Sequence, residues 1–229
     1  MPTLTTAQRR AHYDTFVNEV IDVCAVNGAR AALASGRGRP VEECARMKPY
    51  LVARIGSFGA RRAHYTVASL IAAQRHLAHE DGPYAPETPS PTDSIEEPAR
   101  PGFGTAGDEQ MGDRLGEGAG GKPTSPWAGR AWRARPNLGT TLALAVIRHG
   151  FKQSRMDDRL RVLTRLPTPM LHPRLWTLTS HLASRDAARL DFAVLLDDLA
   201  WWDEDRLHTA DRWSESYFRT LDRLAPQEN

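Results

Sequence analysis

The chain has 229 residues, 41% hydrophobic and 25% charged, with a formal net charge of +2; this is enough apolar material for an ordinary core and excludes general disorder. No run of about 18 apolar residues occurs, and the chain begins with the largely polar MPTLTTAQRR rather than a basic flank followed by an apolar run, so we expect neither a membrane span nor a secretory signal. The two cysteines, Cys24 and Cys44, are too few for a disulfide framework, and the sequence therefore predicts a cytoplasmic protein.

The N-terminal segment, residues 1–79, is predicted to form a small helical bundle. Thr6 is a candidate N-cap for a helix from Ala7 to about Ala34, which Gly36 would end. A short helix is predicted at about 45–55. A longer one is predicted at about 60–79, where apolar residues recur at the spacing of one buried stripe. No stretch alternates with a period of two residues, so no strand is predicted.

Residues 80–136 differ in composition from the rest of the chain. They include nine prolines and ten glycines among 57 residues, with few aliphatic side chains and no sustained period. This composition predicts a disordered or flexible insertion. The glycine-rich stretch 116–123 matches only the first part of a nucleotide-binding loop, because Pro123 replaces the required hydroxyl residue, and no cofactor is expected.

The C-terminal segment, residues 137–229, is predicted to hold five helices. Asn137 is a candidate N-cap for a helix that continues to Gly150, and Asp191 for the fourth helix. The other helices are predicted at about 156–166, 174–184 and 203–224, with three prolines at 167–173 preceding the 174–184 helix. The fold class predicted is therefore all-α, with two small helical bundles joined by a long Pro/Gly-rich insertion.

The small net charge conceals a very uneven distribution. Residues 28–79 sum to +7 and residues 122–190 to +10, whereas residues 80–121 sum to −8 and residues 191–229 to −6. Two arginine-rich blocks predict a protein that binds the phosphate backbone of nucleic acid, because a guanidinium group can donate two hydrogen bonds to one phosphate. The candidate binding residues are Arg30, Arg37, Arg39, Lys48, Arg54, Arg61, Arg62, Arg148, Lys152, Arg155, Arg159, Arg161 and Arg165.

Spacing within the second block strengthens this prediction. Arg155 and Arg159 are four residues apart, as are Arg161 and Arg165, so each pair is expected to share one helix face and meet successive phosphates. The alternative is a solvated basic surface that the acidic C-terminal helices neutralise. In the first block, arginines 37 and 39 lie in a glycine-flanked turn and are expected to project from it.

Other candidate sites carry weaker signals. Trp127 and Trp132, flanked by arginines at 130, 133 and 135, are candidates to stack on the bases of a single strand. His76 and His79 lack a second pair of ligands, and the acidic residues 197–205 suit the polar side of a helix, so no metal site is predicted. No nucleophile motif is present, which predicts a non-catalytic protein.

Three passages together resemble one known family. They are GRGRPVEECARMKPYLV at 36–52, NLGTTLALAV at 137–146 and LDFAVLLDDLAWWDEDRLHTADRWSESYF at 190–218. Their order and separation are similar to those of the CasB family, the small subunit of the type I-E CRISPR Cascade surveillance complex. Many members carry serine and arginine where this chain has Asn137 and Thr140, so the phosphate contact expected there is in question.

The resemblance implies a non-catalytic subunit that stabilises the R-loop. Its implied partners are guide RNA (crRNA), the target and displaced DNA strands, and other Cascade subunits, especially the repeated backbone subunit. It also implies self-association as a dimer. Two alternatives remain open from the sequence: a helical regulator that binds duplex DNA through a recognition helix, and a purely scaffolding helical protein.

Overall fold

The computed structural model describes residues 5–74, 127, 130–187 and 189–224. These residues form α-helices, short 3-10 helices and connecting turns, with no strand among them, which confirms the all-α prediction. The helices are α1 (Thr6–Cys24), α2 (Asn27–Ala34), α3 (Lys48–Ile55), α4 (Arg61–Ala73), α5 (Leu138–His149), α6 (Gln153–Leu163), α7 (Thr168–Ala183), α8 (Phe192–Ala200) and α9 (Trp202–Leu224).

Several sequence predictions lie outside the described residues. They are most of the Pro/Gly-rich insertion, the glycine-rich stretch 116–123, and the two histidines at 76 and 79. No helix in the described part of the chain is both long enough and apolar enough to cross a membrane.

The first predicted helix is wrong in its extent, because the chain breaks it into α1 and α2. Val26 adopts an extended conformation (φ −91°, ψ 116°), and Asn27 and Gly28, both weak helix formers, follow it. The N-cap of α1 is Thr5 rather than Thr6. Its hydroxyl oxygen accepts from the Gln8 backbone N–H at 3.2 Å, while the Gln8 side chain accepts from the Thr5 N–H at 2.9 Å.

The two N-caps predicted in the C-terminal segment are confirmed. Asn137 Oδ1 accepts from the backbone N–H of Thr140 at 3.1 Å and starts α5, which ends at His149 and is capped by Gly150 in a left-handed conformation. Asp191 Oδ1 accepts from two backbone N–H groups, those of Ala193 and Val194, each at 3.1 Å, and starts α8. The caps of these helices are local side-chain interactions, which is why the sequence reveals them.

The start of α7 corrects another prediction. The helix begins at Thr168, not at 174, because Pro169 occupies its first turn, where a backbone N–H is not needed. Pro173 lies inside the helix and cannot donate to the carbonyl of Pro169 four residues earlier. That carbonyl instead accepts a hydrogen bond from Arg62 Nη2 at 3.2 Å, so α4 supplies the donor that the proline lacks.

The buried apolar side chains of the described helices form one cluster. Helices α1 and α4 pack against α8, α4 also packs against α7, and α5 packs along α9. Gly139 lies so close to the Trp213 backbone carbonyl that a Cβ atom there would overlap it. The division into bundles at residues 79 and 137 stays a prediction; helices from the two segments share a broad apolar interface.

Candidate nucleic-acid interface

The second basic block lies on and beside α6. Arg155, Arg161 and Arg165 are exposed and Arg159 is half-buried. Helix α6 ends at Leu163, three residues earlier than predicted, so Arg165 lies in the following turn. The prediction that 161 and 165 form a pair on one helix face is therefore wrong, because the helix stops ahead of Pro167. The 155 and 159 pair does lie within α6.

Among the residues that the structure describes, one ion pair forms on this surface, and it is a weak one. Arg161 Nη2 lies 2.6 Å from Asp158 Oδ1, but the two side chains are 63% and 69% exposed. Exposed pairs of this kind contribute about 0.2–1 kcal/mol and are easily exchanged. The other acid of α6, Asp157, accepts a hydrogen bond from the Tyr217 hydroxyl at 2.6 Å. The guanidinium groups of α6 are therefore only lightly neutralised by its own acids.

Helix α7 and the turn after it add three residues that the sequence interpretation missed. Arg174, His181 and Arg185 are exposed and spaced at i, i+7 and i+11, so they lie along one side of the helix and its continuation. This spacing is a readable signal. Residues 174 and 181 lie within the helix predicted at 174–184, and residue 185 directly follows it. We call Arg155, Arg159, Arg161, Arg165, Arg174, His181 and Arg185 the α6–α7 basic face.

Two residues of this face, Arg185 and His181, contact the ring of Phe151. The guanidinium carbon of Arg185 lies 5.0 Å from the centre of the Phe151 ring, and the His181 ring meets Phe151 edge to face, with centroids 5.2 Å apart. Partial burial, followed by the charges of Arg159, Arg185 and Arg155, lowers the pKa of His181 below its usual 6.5. The positive groups are therefore close enough to act on one another, as a phosphate-binding surface requires.

Residues of the first basic block also contact α7, although they lie more than a hundred residues away in the sequence. Arg37 and Gly38 both have positive φ, 49° and 71°, and Gly38 is buried against the His172 backbone of α7, where a Cβ atom would overlap the carbonyl. This contact holds the turn beside α7 and leaves Arg37 and Arg39 exposed. With the Arg62 contact to Pro169, it places cations of the first block beside the N-terminal part of α7.

Besides Arg62, two candidates of the first block make internal contacts. Arg30 Nε donates to the Ala72 carbonyl at 3.0 Å, which links α2 to the end of α4. Arg54 Nη1 donates to the Tyr50 carbonyl at 2.6 Å, and Arg54 Nε lies 3.4 Å from Glu19 Oε2. These contacts give both side chains a structural role within the helices. The remaining candidates are exposed: Lys48, Arg61, Arg148 and Lys152.

The acidic C-terminal helices neutralise arginines away from the α6–α7 basic face. Asp198 is buried, pairs with Arg212 and accepts from Trp213 Nε1 at 2.6 Å. Asp197 lies 3.5 Å from Arg9 Nε and 3.9 Å from Arg10 Nε. Asp197 and Asp198 therefore neutralise arginines of α1 and α9, and not the arginines of the α6–α7 basic face.

The two tryptophans proposed to stack on bases have cations beside them. The guanidinium carbons of Arg135 and Arg10 lie 4.5 and 5.0 Å from the Trp132 ring centre, and that of Arg130 lies 5.4 Å from the Trp127 ring centre. Base stacking on these rings stays a prediction. In the part of the chain that the structure covers, no group of three or more His, Cys, Asp or Glu residues could hold a metal ion.

The convergence of arginines on His181 has a measurable consequence. In an Arg159→Ala variant we expect the pKa of His181 to rise toward 6.5, because a neighbouring positive charge that disfavours the imidazolium is removed. An NMR titration of the histidine ring protons measures this pKa. An Arg206→Ala variant, which removes an exposed arginine of α9, is the control and should leave it unchanged. An unchanged pKa in the Arg159→Ala variant would contradict the clustering.

Comparisons with known proteins agree in pointing to one family. A family model described as CRISPR-associated protein Cse2 matches residues 29–218. A solved structure titled "CRISPR RNA-guided surveillance complex" includes a chain with 26% identity and a TM-score of 0.67; the match covers 96% of this chain and 99% of that one. A second, "CRISPR RNA-guided surveillance complex, pre-nicking", gives 26% identity, a TM-score of 0.66 and the same coverage. No curated protein sequence matches the chain.

Proposed function

Because the chain belongs to the Cse2 (CasB) family and is a subunit of a CRISPR Cascade complex, we propose that it holds nucleic-acid backbone during target recognition. Its ligands are the guide RNA paired with target DNA and the displaced DNA strand, and its effect is to stabilise the R-loop. In such complexes base pairing reads the sequence, so a subunit that contacts backbone needs positive charge and no base-specific code.

The observation that carries the proposal is the α6–α7 basic face. Four of its arginines come from α6 and the turn after it, and α7 and its continuation add Arg174 and Arg185. Among the described residues, the one carboxylate paired with them is Asp158, in an exposed pair. A surface with this much uncompensated charge attracts a polyanion and releases its counterions on binding.

The rest of the proposal follows from the family. The chain acts by binding alone, without catalysis, in the cytoplasm. It contacts other Cascade subunits, especially the repeated backbone subunit, and pairs with a second copy of itself. The buried, unpaired thiols of Cys24 and Cys44 suit a reducing compartment.

The proposal is tested by assembling the complex with and without this chain on a target duplex. With the chain present, we expect the displaced strand to be cut more slowly by a single-strand nuclease, and the chain to purify with guide RNA and the other subunits. Equal cutting with and without the chain would contradict R-loop stabilisation. Two further outcomes favour the alternatives: preference for one duplex sequence favours a DNA-binding regulator, and assembly without salt-sensitive nucleic-acid binding favours a scaffold.

A further inference from the structure

A groove runs between α6 and α7 within the basic face. Its volume is about 420 Å³, which is in the range of pockets that bind small molecules. Apolar side chains line one part of it, namely Val162, Leu163 and Leu178, and polar ones the rest, namely Asp158, Arg159, Arg174, Thr177 and His181, with Asp158 paired to Arg161. The groove therefore combines an apolar wall with two arginines, Arg159 and Arg174, that belong to the proposed backbone-binding surface.

Two side chains of the groove lack a suitable contact among the described residues: one is apolar and exposed, and the other is a buried donor without an acceptor. Val162 is 52% exposed although it is apolar, while its neighbours Leu163 and Leu178 are buried. Arg159 Nη1 is buried and has no hydrogen-bond partner among the described residues. A buried donor without an acceptor costs about 1–3 kcal/mol, so an occupant with both apolar surface and an acceptor fits this groove best.

A nucleobase has both properties. Its faces are apolar and its edges carry carbonyl and ring-nitrogen acceptors, and it is attached to a phosphate that neighbouring arginines can bind. An apolar protein side chain would fill the groove but would leave the Arg159 donor unpaired. A base inside a duplex is excluded, because its faces are stacked and its pairing edge is occupied.

We propose that the α6–α7 groove receives one unpaired base of a nucleic-acid strand, with Arg159 donating to its edge and Arg174 close to the adjoining phosphate. This inference rests on the proposed function and makes it more specific. It gives the basic face a preference for single strands over duplexes, one that does not depend on base identity.

The test compares two 12-nucleotide single strands, oligothymidylate and an abasic strand with the same number of phosphates. The full-length chain should bind oligothymidylate about tenfold more tightly, because stacking a base on a protein surface is worth about 1–3 kcal/mol. Filling the groove with Val162→Leu and Thr177→Leu adds branched aliphatic groups without changing charge or adding an aromatic ring. This double variant should bind both strands with the affinity that the unmodified chain has for the abasic one.

A matched variant, Val52→Leu with Thr15→Leu, changes exposed residues of the same types on α3 and α1 and should keep the tenfold difference. Thermal unfolding checks that both double variants are folded. Photocrosslinking of 5-iodouracil in the strand gives a second measurement, in which the attached peptide should come from 153–183.

The outcomes separate this inference from the proposed function. Salt-sensitive binding of the abasic strand with no advantage for oligothymidylate overturns the base site alone. Absence of binding to either strand overturns the proposed function as well. If the groove-filled variant keeps the tenfold difference but fails to join the complex, the groove binds a protein partner and the inference is wrong.

Discussion

An Arg135→Ala variant is expected to lose about 3–5 kcal/mol of its free energy of unfolding, because it leaves a buried carboxylate without its partner. Arg135 Nε and Nη2 donate to the two oxygens of Asp191 at 2.5 and 2.8 Å, and Nη1 donates to Asp14 Oδ2 at 2.9 Å. The Arg135 and Asp191 side chains are each 1% exposed. Burial raises the pKa of Asp191, and Arg135 counteracts this effect.

The position of this ion pair explains the size of the expected loss. Asp14 belongs to α1, Arg135 precedes α5, and Asp191 is the N-cap of α8, so one guanidinium group joins three parts of the fold. Chemical denaturation measures the loss. The control is Arg54→Ala, which removes a half-exposed arginine paired with Glu19 and should cost at most about 1 kcal/mol through that pair. Equal losses in the two variants would contradict a dominant role for Arg135.

A triple variant, Arg155→Ala, Arg161→Ala and Arg165→Ala, is expected to bind a single-stranded oligonucleotide roughly a hundredfold more weakly at low salt. Each hydrogen bond contributes about 1 kcal/mol net, so removing three of them costs about 3 kcal/mol, which corresponds to roughly a hundredfold in affinity. All three side chains are exposed, so the fold should be unaffected. Fluorescence anisotropy with a labelled strand measures the affinity.

The control for this variant removes the same charge elsewhere. Arg206→Ala, Arg219→Ala and Arg223→Ala take three exposed arginines from α9 and leave the α6–α7 basic face intact. This control should change the affinity only a few-fold, through the general field of the protein. An equal loss in both variants would mean that net charge, and not this face, determines binding.

Local signals explain which elements the sequence predicts well. The caps at Asn137 and Asp191 involve side chains and backbone groups two or three residues apart, so residue type and position suffice. Helix α7 shows the opposite case. Its prolines suggest a helix boundary in the sequence, but Pro169 is compatible with the first turn of a helix. The Pro169 carbonyl, which Pro173 cannot bind, accepts instead from Arg62 in α4, more than a hundred residues away in the sequence.

The same distinction holds for the candidate site. Arginine-rich blocks are visible in the sequence, but which members are exposed depends on tertiary partners such as the Ala72 carbonyl that binds Arg30. Arg135 illustrates this most clearly. In the sequence it lies close to Trp132, which is a candidate for base stacking. In the structure it is buried and pairs with Asp14 and Asp191, which lie 121 and 56 residues away.

The salt dependence of single-strand binding tests most directly whether the basic face meets phosphates. If about six cations contact one strand, the slope of log K against log salt should be about −4, since each contact contributes about −0.7. The triple variant at 155, 161 and 165 should reduce this slope to about −2, and the α9 control should keep it near −4. A slope that is the same in all three proteins would contradict the claim that these arginines hold nucleic acid.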